Sequence, residues 1–183
     1  MASSPVLRDE YIPTRLSDED RYVTSTTSTL EGALSTAEVQ LRPTNLAFAS
    51  QPEESVKLEV RAHGKPPDWL AATARAFDEV LALPPRWNSY AARPVNVAAV
   101  EAAFVVLTRI MTETTPPPVI VPTVSGGVQL EWHESGVDLE IAVNPDRRVE
   151  VLFEDLAEGL MWEGTFPEAQ TIIAGAIRRL SAE

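Results

Sequence analysis

Three consecutive stretches of alternating apolar and polar residues constrain the fold of this chain more than any other sequence feature. They cover residues 128–133, 137–143 and 149–154, and the turns between them contain Gly136 and Pro145. Successive side chains of a β-strand point to opposite faces of the sheet, so a period of two residues places one set in the core and the other in water. The pattern therefore predicts an antiparallel β-meander with one buried and one wet face.

Two shorter segments extend the predicted sheet on either side. Residues 119–121 form an apolar run that ends at Pro122, which cannot donate a ladder hydrogen bond. This run is predicted to be an edge strand for that reason. Residues 160–163 follow the meander and are a candidate fifth strand. The sheet is therefore expected to have four or five strands.

Three segments carry apolar residues at the 3.6-residue spacing of an α-helix. The first follows Asp68, a predicted N-cap, and the second follows Asn96, also a predicted N-cap, and stops at the prolines 116–118. The third begins at a capping box formed by Thr165 and Glu168. The predicted fold class is α+β, with an antiparallel four- or five-stranded β-meander, helices on one face, and an extended polar N-terminal arm.

Residues 1–66 are predicted to be this arm, and residues 67–183 the α+β domain. The arm contains 15 Ser/Thr residues and five prolines, a composition that buries too little apolar surface to offset the entropy of ordering. Two pieces of it carry weak structural patterns: residues 30–39 favour a helix, and residues 56–61 alternate as a short strand would. The arm is also a candidate for docking a partner.

Negative charge is concentrated in the predicted sheet. The formal net charge is −12, and residues 131–168 contain 11 acidic residues against only Arg147 and Arg148. A surplus of carboxylates opposes binding to nucleic-acid phosphates or anionic lipids, which need a surplus of Lys and Arg. The expected partner is therefore a protein with a basic surface, and neither direct nucleic-acid binding nor membrane binding is expected.

The chain contains no cysteine, which excludes disulfides, thiol nucleophiles and thiolate metal sites. No window approaches the roughly 18 consecutive apolar residues that span a bilayer. The first residues also lack the apolar segment of a secretory signal. We expect a cytoplasmic protein.

The polar positions of the meander predict an acidic sheet face. Pairing inward residues with inward residues places Glu131 opposite Glu140, and like charges in that arrangement destabilise a sheet. A basic partner would compensate for them. The alternative is that the charges only keep the sheet soluble and unpaired. The residues predicted to bind a partner here are Glu131, His133, Asp138, Glu140, Glu150, Leu152 and Glu154.

His133 is the one histidine of the predicted sheet. The same pairing places it beside Asp138, and Asp138 beside Glu154. Imidazole and carboxylate groups can bind a divalent metal or accept a proton, although a solvated histidine at a hairpin end is the simpler interpretation. The only other histidine is His63, in the arm. No catalytic residue, metal or cofactor is predicted. The alternative is a metal-binding or hydrolytic enzyme centred on His133, Asp138 and Glu154.

The segment Trp-Asn-Ser-Tyr at 87–90 lies between the first two predicted helices. Trp87 and Tyr90 could anchor a partner or stack on a ligand. The alternative is that the aromatic side chains close the end of the core while Asn88 and Ser89 bond the turn backbone. Trp87 and Tyr90 are included among the predicted partner-binding residues.

Two motifs carry a resemblance to a known family. Residues 83–92 read Leu-Pro-Pro-Arg-Trp-Asn-Ser-Tyr-Ala-Ala, and residues 126–133 read Gly-Gly-Val-Gln-Leu-Glu-Trp-His. With the triple proline and the Val-Pro-Thr that follows, they resemble an uncharacterised domain of bacterial and phage proteins, over about residues 83–164. That family usually has Asp at the position of Asn88 and Gly at the position of Ala91. The resemblance implies a shared fold and a bacterial or phage origin, and no known activity.

These observations favour a non-enzymatic function. We expect a protein–protein interaction module or accessory subunit, of the antitoxin, immunity or defence-complex type, that docks a basic partner on its acidic sheet face. Besides the metal-binding or hydrolytic enzyme, a structural, virion-associated subunit is a further alternative.

Overall fold

The computed structural model describes residues 28–31, 35–45, 54–62 and 66–182, the first three ranges as backbone only. These three ranges contain β1 (Ser28–Glu31), β2 (Ser35–Asn45) and β3 (Glu54–Ala62), which pair antiparallel in the order β1-β2-β3. The strand predicted at residues 56–61 is confirmed as part of β3.

The helix predicted within residues 30–39 is wrong, because the described residues of that stretch lie in β1 and β2. Val39 and Leu41 alternate with polar neighbours, which is the period of a strand, and they pair with Val60 and Leu58 of β3. The rest of the predicted arm, residues 1–27, 32–34, 46–53 and 63–65, lies outside the described residues.

The main sheet contains the predicted meander and both flanking strands. Its order is β4-β5-β6-β7-β8, and every neighbouring pair is antiparallel. Pro122 ends the edge strand β4, where a missing N–H donor costs no ladder hydrogen bond. The strands are β4 (Val119–Pro122), β5 (Val128–Glu134), β6 (Val137–Val143), β7 (Val149–Asp155) and β8 (Leu160–Thr165).

The register of the sheet follows the alternation of the sequence. Leu130 pairs with Ile141, which pairs with Val151, and all three side chains are buried. The polar residues between them point to the opposite side. The predicted division of the meander into one buried and one wet face is confirmed.

Among the described residues, three helices pack on the buried face of the main sheet: α1 (Asp68–Leu81), α2 (Val97–Ile110) and α3 (Phe166–Leu180). Helix α1 lies near β4, α2 over β5 and β6, and α3 over β6, β7 and β8. No helix in the described part of the chain has the length and apolar character needed to cross a bilayer.

Two of the three predicted helix starts are confirmed. The side chain of Asn96 accepts a hydrogen bond from Ala98 N at 2.8 Å, and the Glu168 carboxylate accepts one from Thr165 N at 3.2 Å. The prediction of Asp68 as an N-cap is wrong, because Pro67 occupies that position with extended backbone angles. Asp68 is the first helical residue instead, where its charge complements the positive end of the helix dipole.

An aromatic cluster joins α1 and α2 in the core. Phe104 lies with its ring centroid 6.5 Å from Trp69 and 6.4 Å from Phe77, and all three side chains are buried. The indole of Trp132 donates a hydrogen bond to Pro116 O at 2.9 Å, which satisfies its polar atom at the rim of the core. This packing holds β5 in place beneath the helices.

One acidic residue of β7, Asp155, faces inward and is buried. It pairs with Arg179 of α3, which also donates to the carbonyl oxygens of Ser135 and Gly136 in the β5–β6 turn. Burial alone would raise the pKa of Asp155, but hydrogen bonds from Glu158 N, the Arg179 guanidinium and Ala157 N hold it below its ordinary value. The ion pair therefore fastens one end of the sheet to α3.

Candidate functional site: the outer face of the sheet

The outer face is the side of the main sheet that carries no helix among the described residues. Its β5 to β8 positions hold six carboxylates and one histidine, and neither lysine nor arginine stands at any of them. These positions are Gln129, Glu131, His133, Asp138, Glu140, Ala142, Glu150, Leu152, Glu154, Met161, Glu163 and Thr165.

Seven of the nine predicted partner-binding residues lie on this face, at the register that was predicted. Glu131 pairs with Glu140, His133 with Asp138, and Asp138 with Glu154. Glu150, Leu152 and Glu154 alternate along β7 with exposed side chains, as the period of two predicts. The structure therefore brings these seven residues together on one continuous surface.

His133 lies between two carboxylates at one end of the face. Its Nδ1 atom is 2.8 Å from Asp138 Oδ1, and its Nε2 atom is 3.2 Å from Glu131 Oε2. The hydrogen bond with Glu131, together with the negative charges of both neighbours, raises the pKa of His133 above 6.5 despite some desolvation. The imidazolium form can donate from both nitrogens at once.

Glu140 is the carboxylate in the least favourable surroundings. Partial burial and the charges of Glu131 and Asp138 raise the pKa of Glu140, and they outweigh the attraction of His133 and a hydrogen bond from Gln129. That hydrogen bond, from Gln129 Nε2 to Glu140 Oε2, is 2.6 Å long. The fold thus holds three carboxylates around one imidazole, an arrangement that attracts a cation.

His133, Asp138 and Glu140 form a close group of potential metal ligands. One oxygen or nitrogen atom of each lies within 4.8 Å of the others. The sequence had pointed to Glu154 as the third member, because Glu154 stands directly opposite Asp138 on β7. The carboxylate that joins the group instead belongs to Asp138's own strand, two residues further on.

Three polar outer-face residues were not predicted as partner-binding: Gln129, Glu163 and Thr165. Gln129 orients Glu140. Glu163 lies on β8 directly opposite Leu152. The alternation of the fifth strand is the signal that could have found Glu163, because Met161 and Glu163 stand two residues apart and therefore share a face.

Trp87 and Tyr90, the other two predicted residues, lie in the loop between α1 and α2. The side chain of Asn88 accepts hydrogen bonds from Tyr90 N at 3.0 Å and Ala92 N at 3.2 Å, and the Trp87 indole donates to Arg93 O at 3.3 Å. Asn88 therefore bonds the turn backbone as predicted, and Trp87 is half-buried. Tyr90 does not close the core, because it is 79% exposed.

The loop is attached to the sheet at the β4–β5 turn. Arg93 N donates to Val124 O at 3.1 Å, and Asn96 N donates to Gly126 O at 2.8 Å. Gly126 has a φ of +90°, and a Cβ atom there would lie 2.7 Å from Pro94 O. A glycine is required where the loop meets the sheet.

Two shallow cavities lie between α2 and α3, on the helix side of the molecule. Their volumes are about 300 Å³ and about 290 Å³, and both are lined by Arg109 and Phe166. Their walls are mainly apolar, and neither is lined by a histidine or by two carboxylates. The charged chemistry of the described residues is therefore concentrated on the outer face rather than in these cavities.

Comparisons with protein-family models, with curated proteins and with solved structures found no match to this chain. The resemblance of residues 83–164 to an uncharacterised bacterial and phage domain stays a prediction.

Proposed function

We propose that this chain is a non-enzymatic protein–protein interaction module that docks a basic partner on the outer face of its main sheet. The observation that carries the proposal is the placement of six carboxylates on a sheet face with neither lysine nor arginine at its β5 to β8 positions. All three described helices lie on the other side. The face is thus accessible to a partner over the described part of the chain.

The electrostatics of the face support the same proposal. Glu131 on β5 and Glu140 on β6 are directly opposite each other, and like charges in that arrangement destabilise a sheet. Within the described part of the chain, Arg148 of the β6–β7 turn is the one cation besides His133 that pairs with an outer-face carboxylate, and it reaches Glu150 at 3.0 Å. Lysine or arginine side chains of a partner would lower the energy of the remaining carboxylates.

The wider role that we propose follows from the resemblance and from the predicted arm. An antitoxin, immunity or defence-complex subunit of a bacterial or phage system would use such a face to hold a basic partner protein. The polar N-terminal arm would supply additional contacts.

Charge-neutralising variants test the docking proposal. The probe is a fluorescently labelled decalysine peptide, titrated with the full chain and followed by fluorescence anisotropy. Glu154→Gln with Glu163→Gln removes two exposed outer-face charges, and Glu79→Gln with Glu113→Gln removes two exposed charges elsewhere. An exposed ion pair contributes about 0.5 kcal/mol, so the outer-face double variant should bind about fivefold more weakly.

The matched pair of variants separates a defined face from net charge. Both double variants change the net charge by the same amount, so the control should bind decalysine almost as the wild type does. Equal weakening in the two variants would show that decalysine responds only to total charge, and the docking face would then be rejected.

A divalent-metal site is the second candidate function, favoured by the close group of His133, Asp138 and Glu140. A neutral imidazole with two carboxylates offers nitrogen and oxygen ligands of the types that Zn²⁺ accepts, with a ligand charge that balances the ion. Glu131 would accept the other ring N–H of His133, and Gln129 would orient Glu140, as partners outside the ligand group often do.

Calorimetric titration with Zn²⁺ tests this second candidate. Uptake of one ion that His133→Ala abolishes and Glu154→Gln preserves would support the metal site and weigh against a purely protein-binding face. Absence of heat with the wild-type chain would reject it.

A further inference from the structure

Leu152 is an apolar side chain surrounded by carboxylates on the outer face. Its cross-strand neighbours are Glu140 on β6 and Glu163 on β8. Its neighbours two residues away on β7 are Glu150 and Glu154, which share its face. Cross-strand neighbours lie about 5 Å apart and residues two apart on a strand about 6.6 Å apart, so four carboxylates lie around one leucine. Leu152 is 36% exposed.

Met161 continues the apolar surface diagonally from Leu152. On β7 and β8, Leu152 is opposite Glu163 and Glu154 is opposite Met161. The two apolar residues are therefore diagonal neighbours, and the two glutamates form the other diagonal. Met161 is 66% exposed. Leu156, at the start of the β7–β8 turn, is also exposed. The result is a short apolar stripe with acidic residues on both sides.

We propose that the partner docks a basic amphipathic α-helix along this stripe, with its apolar residues on Leu152 and Met161 and its lysine or arginine residues on the flanking carboxylates. The inference rests on the proposed function and specifies the partner's binding element. Contact between apolar side chains removes exposed surface from water, and the flanking cations neutralise charges that repel each other in the free protein.

A helix fits this surface better than an extended segment does. A strand that lay flat across the face would not form ladder hydrogen bonds with the sheet, so its backbone N–H and C=O groups would lose water without gaining partners. A helix satisfies its backbone internally and presents an apolar stripe with polar residues on both sides. The apolar stripe of such a helix would contact Leu152 and Met161, and the polar residues on its two sides would contact the carboxylates on the two sides of that apolar pair.

The dimensions of the stripe set the length of the helix. Two diagonal steps of about 7 Å carry the stripe from Leu152 past Met161 to the β7–β8 turn, a span of roughly 15 Å. A helix rises 1.5 Å per residue, so about ten residues cover the stripe and about 14 allow for ends that fray.

The test uses two labelled peptides of 14 residues with the same leucine and lysine content. In the first, leucines recur at helical spacing to give one apolar face; in the second, the same residues are scrambled so that no apolar face forms. Each peptide is titrated with the full chain at 150 mM salt and followed by fluorescence anisotropy. We expect the amphipathic peptide to bind about tenfold more tightly than the scrambled one.

Truncations of exposed apolar residues locate the contact. Leu152→Ala and Met161→Ala should each weaken binding of the amphipathic peptide about fivefold to tenfold and leave the scrambled peptide unchanged. Val124→Ala, on the β4–β5 turn, truncates an apolar side chain about as exposed as Met161; it is the matched control and should change neither affinity. The thermal midpoints of the variants show whether each one is folded.

The outcomes separate this inference from the proposed function. If both peptides bind equally and Leu152→Ala changes neither, the acidic face still docks cations and only the amphipathic helix is rejected. If neither peptide binds, both proposals are rejected. A loss with Leu152→Ala and with Val124→Ala alike would also overturn the assignment to this stripe.

Discussion

Removal of one outer-face charge should make the free protein more stable. Glu140 faces Glu131 directly, and its pKa is raised by burial and by the charges of Glu131 and Asp138. Its ionised form therefore costs free energy in the folded state relative to the unfolded chain. We expect Glu140→Gln to increase the free energy of unfolding at pH 7.

The magnitude follows from the spacing of the charges. Carboxylate oxygens of Asp138 and Glu140 come within 4.8 Å. Two unit charges at that distance repel by about 0.9 kcal/mol in a medium like water and by about 3.5 kcal/mol at an effective dielectric constant of about 20. Partial exposure favours the lower figure, and losing the charge assistance of the Gln129 hydrogen bond removes part of the gain. The expected gain is about 0.5–1 kcal/mol.

Urea unfolding, followed by tryptophan fluorescence in buffer with a metal chelator, measures this gain. With a denaturant slope of about 2 kcal/mol/M, the midpoint should rise by about 0.3–0.5 M. In 1 M NaCl the Debye length falls to about 3 Å, so the difference from wild type should shrink. Glu113→Gln, which removes an exposed charge after α2, is the control and should leave the midpoint within error.

A lower urea midpoint for Glu140→Gln would refute the reasoning, because it would mean that His133 and Gln129 stabilise the Glu140 charge more than its neighbours destabilise it. A gain that does not change with salt would point to packing instead of repulsion. A gain in stability together with weaker binding of basic peptides would indicate that the charge is retained for docking, at the expense of stability.

Three further predictions concern the scaffold that holds the face. Phe104→Ala should lower the free energy of unfolding by about 3–5 kcal/mol in urea melts, because it leaves a cavity between Trp69 and Phe77; a loss below about 1 kcal/mol would contradict the observed packing. Asn96→Ala should cost about 1 kcal/mol by removing the cap of α2, and Asn96→Asp should restore most of it. The lowered pKa of Asp155 means that its ionised form stabilises the fold above the ordinary value of 3.8, and that this contribution is lost as the pH falls through the folded pKa. The difference in unfolding free energy between wild type and Asp155→Asn should therefore be largest near pH 7 and should shrink as the pH falls below about 3.8. A difference in the urea midpoint that does not change with pH would argue against the ion pair with Arg179.

Periodic patterns were the reliable part of the sequence. The alternation from Val128 to Phe153 predicted the register of the meander, down to the opposition of Glu131 and Glu140. The cap of α2 at Asn96 was predicted because its signal is contained in a few adjacent residues. Asp68 was misassigned because Pro67, and not Asp68, adopts the extended cap geometry, and residue type alone does not show this.

The sequence by itself determined which residues share a face, because a strand's side chains alternate wherever the strand packs. Only the tertiary structure decided which of those side chains meet. Glu140 joins His133 and Asp138 because its side chain lies toward them and is held by Gln129, whereas Glu154, directly opposite Asp138, lies outside that close group. Asp155 lies on the inner face by the same alternation, but the partner of its charge, Arg179, comes from α3, 24 residues further along the chain. Such pairings depend on rotamers and on distant elements packing together, and neither is contained in a local pattern.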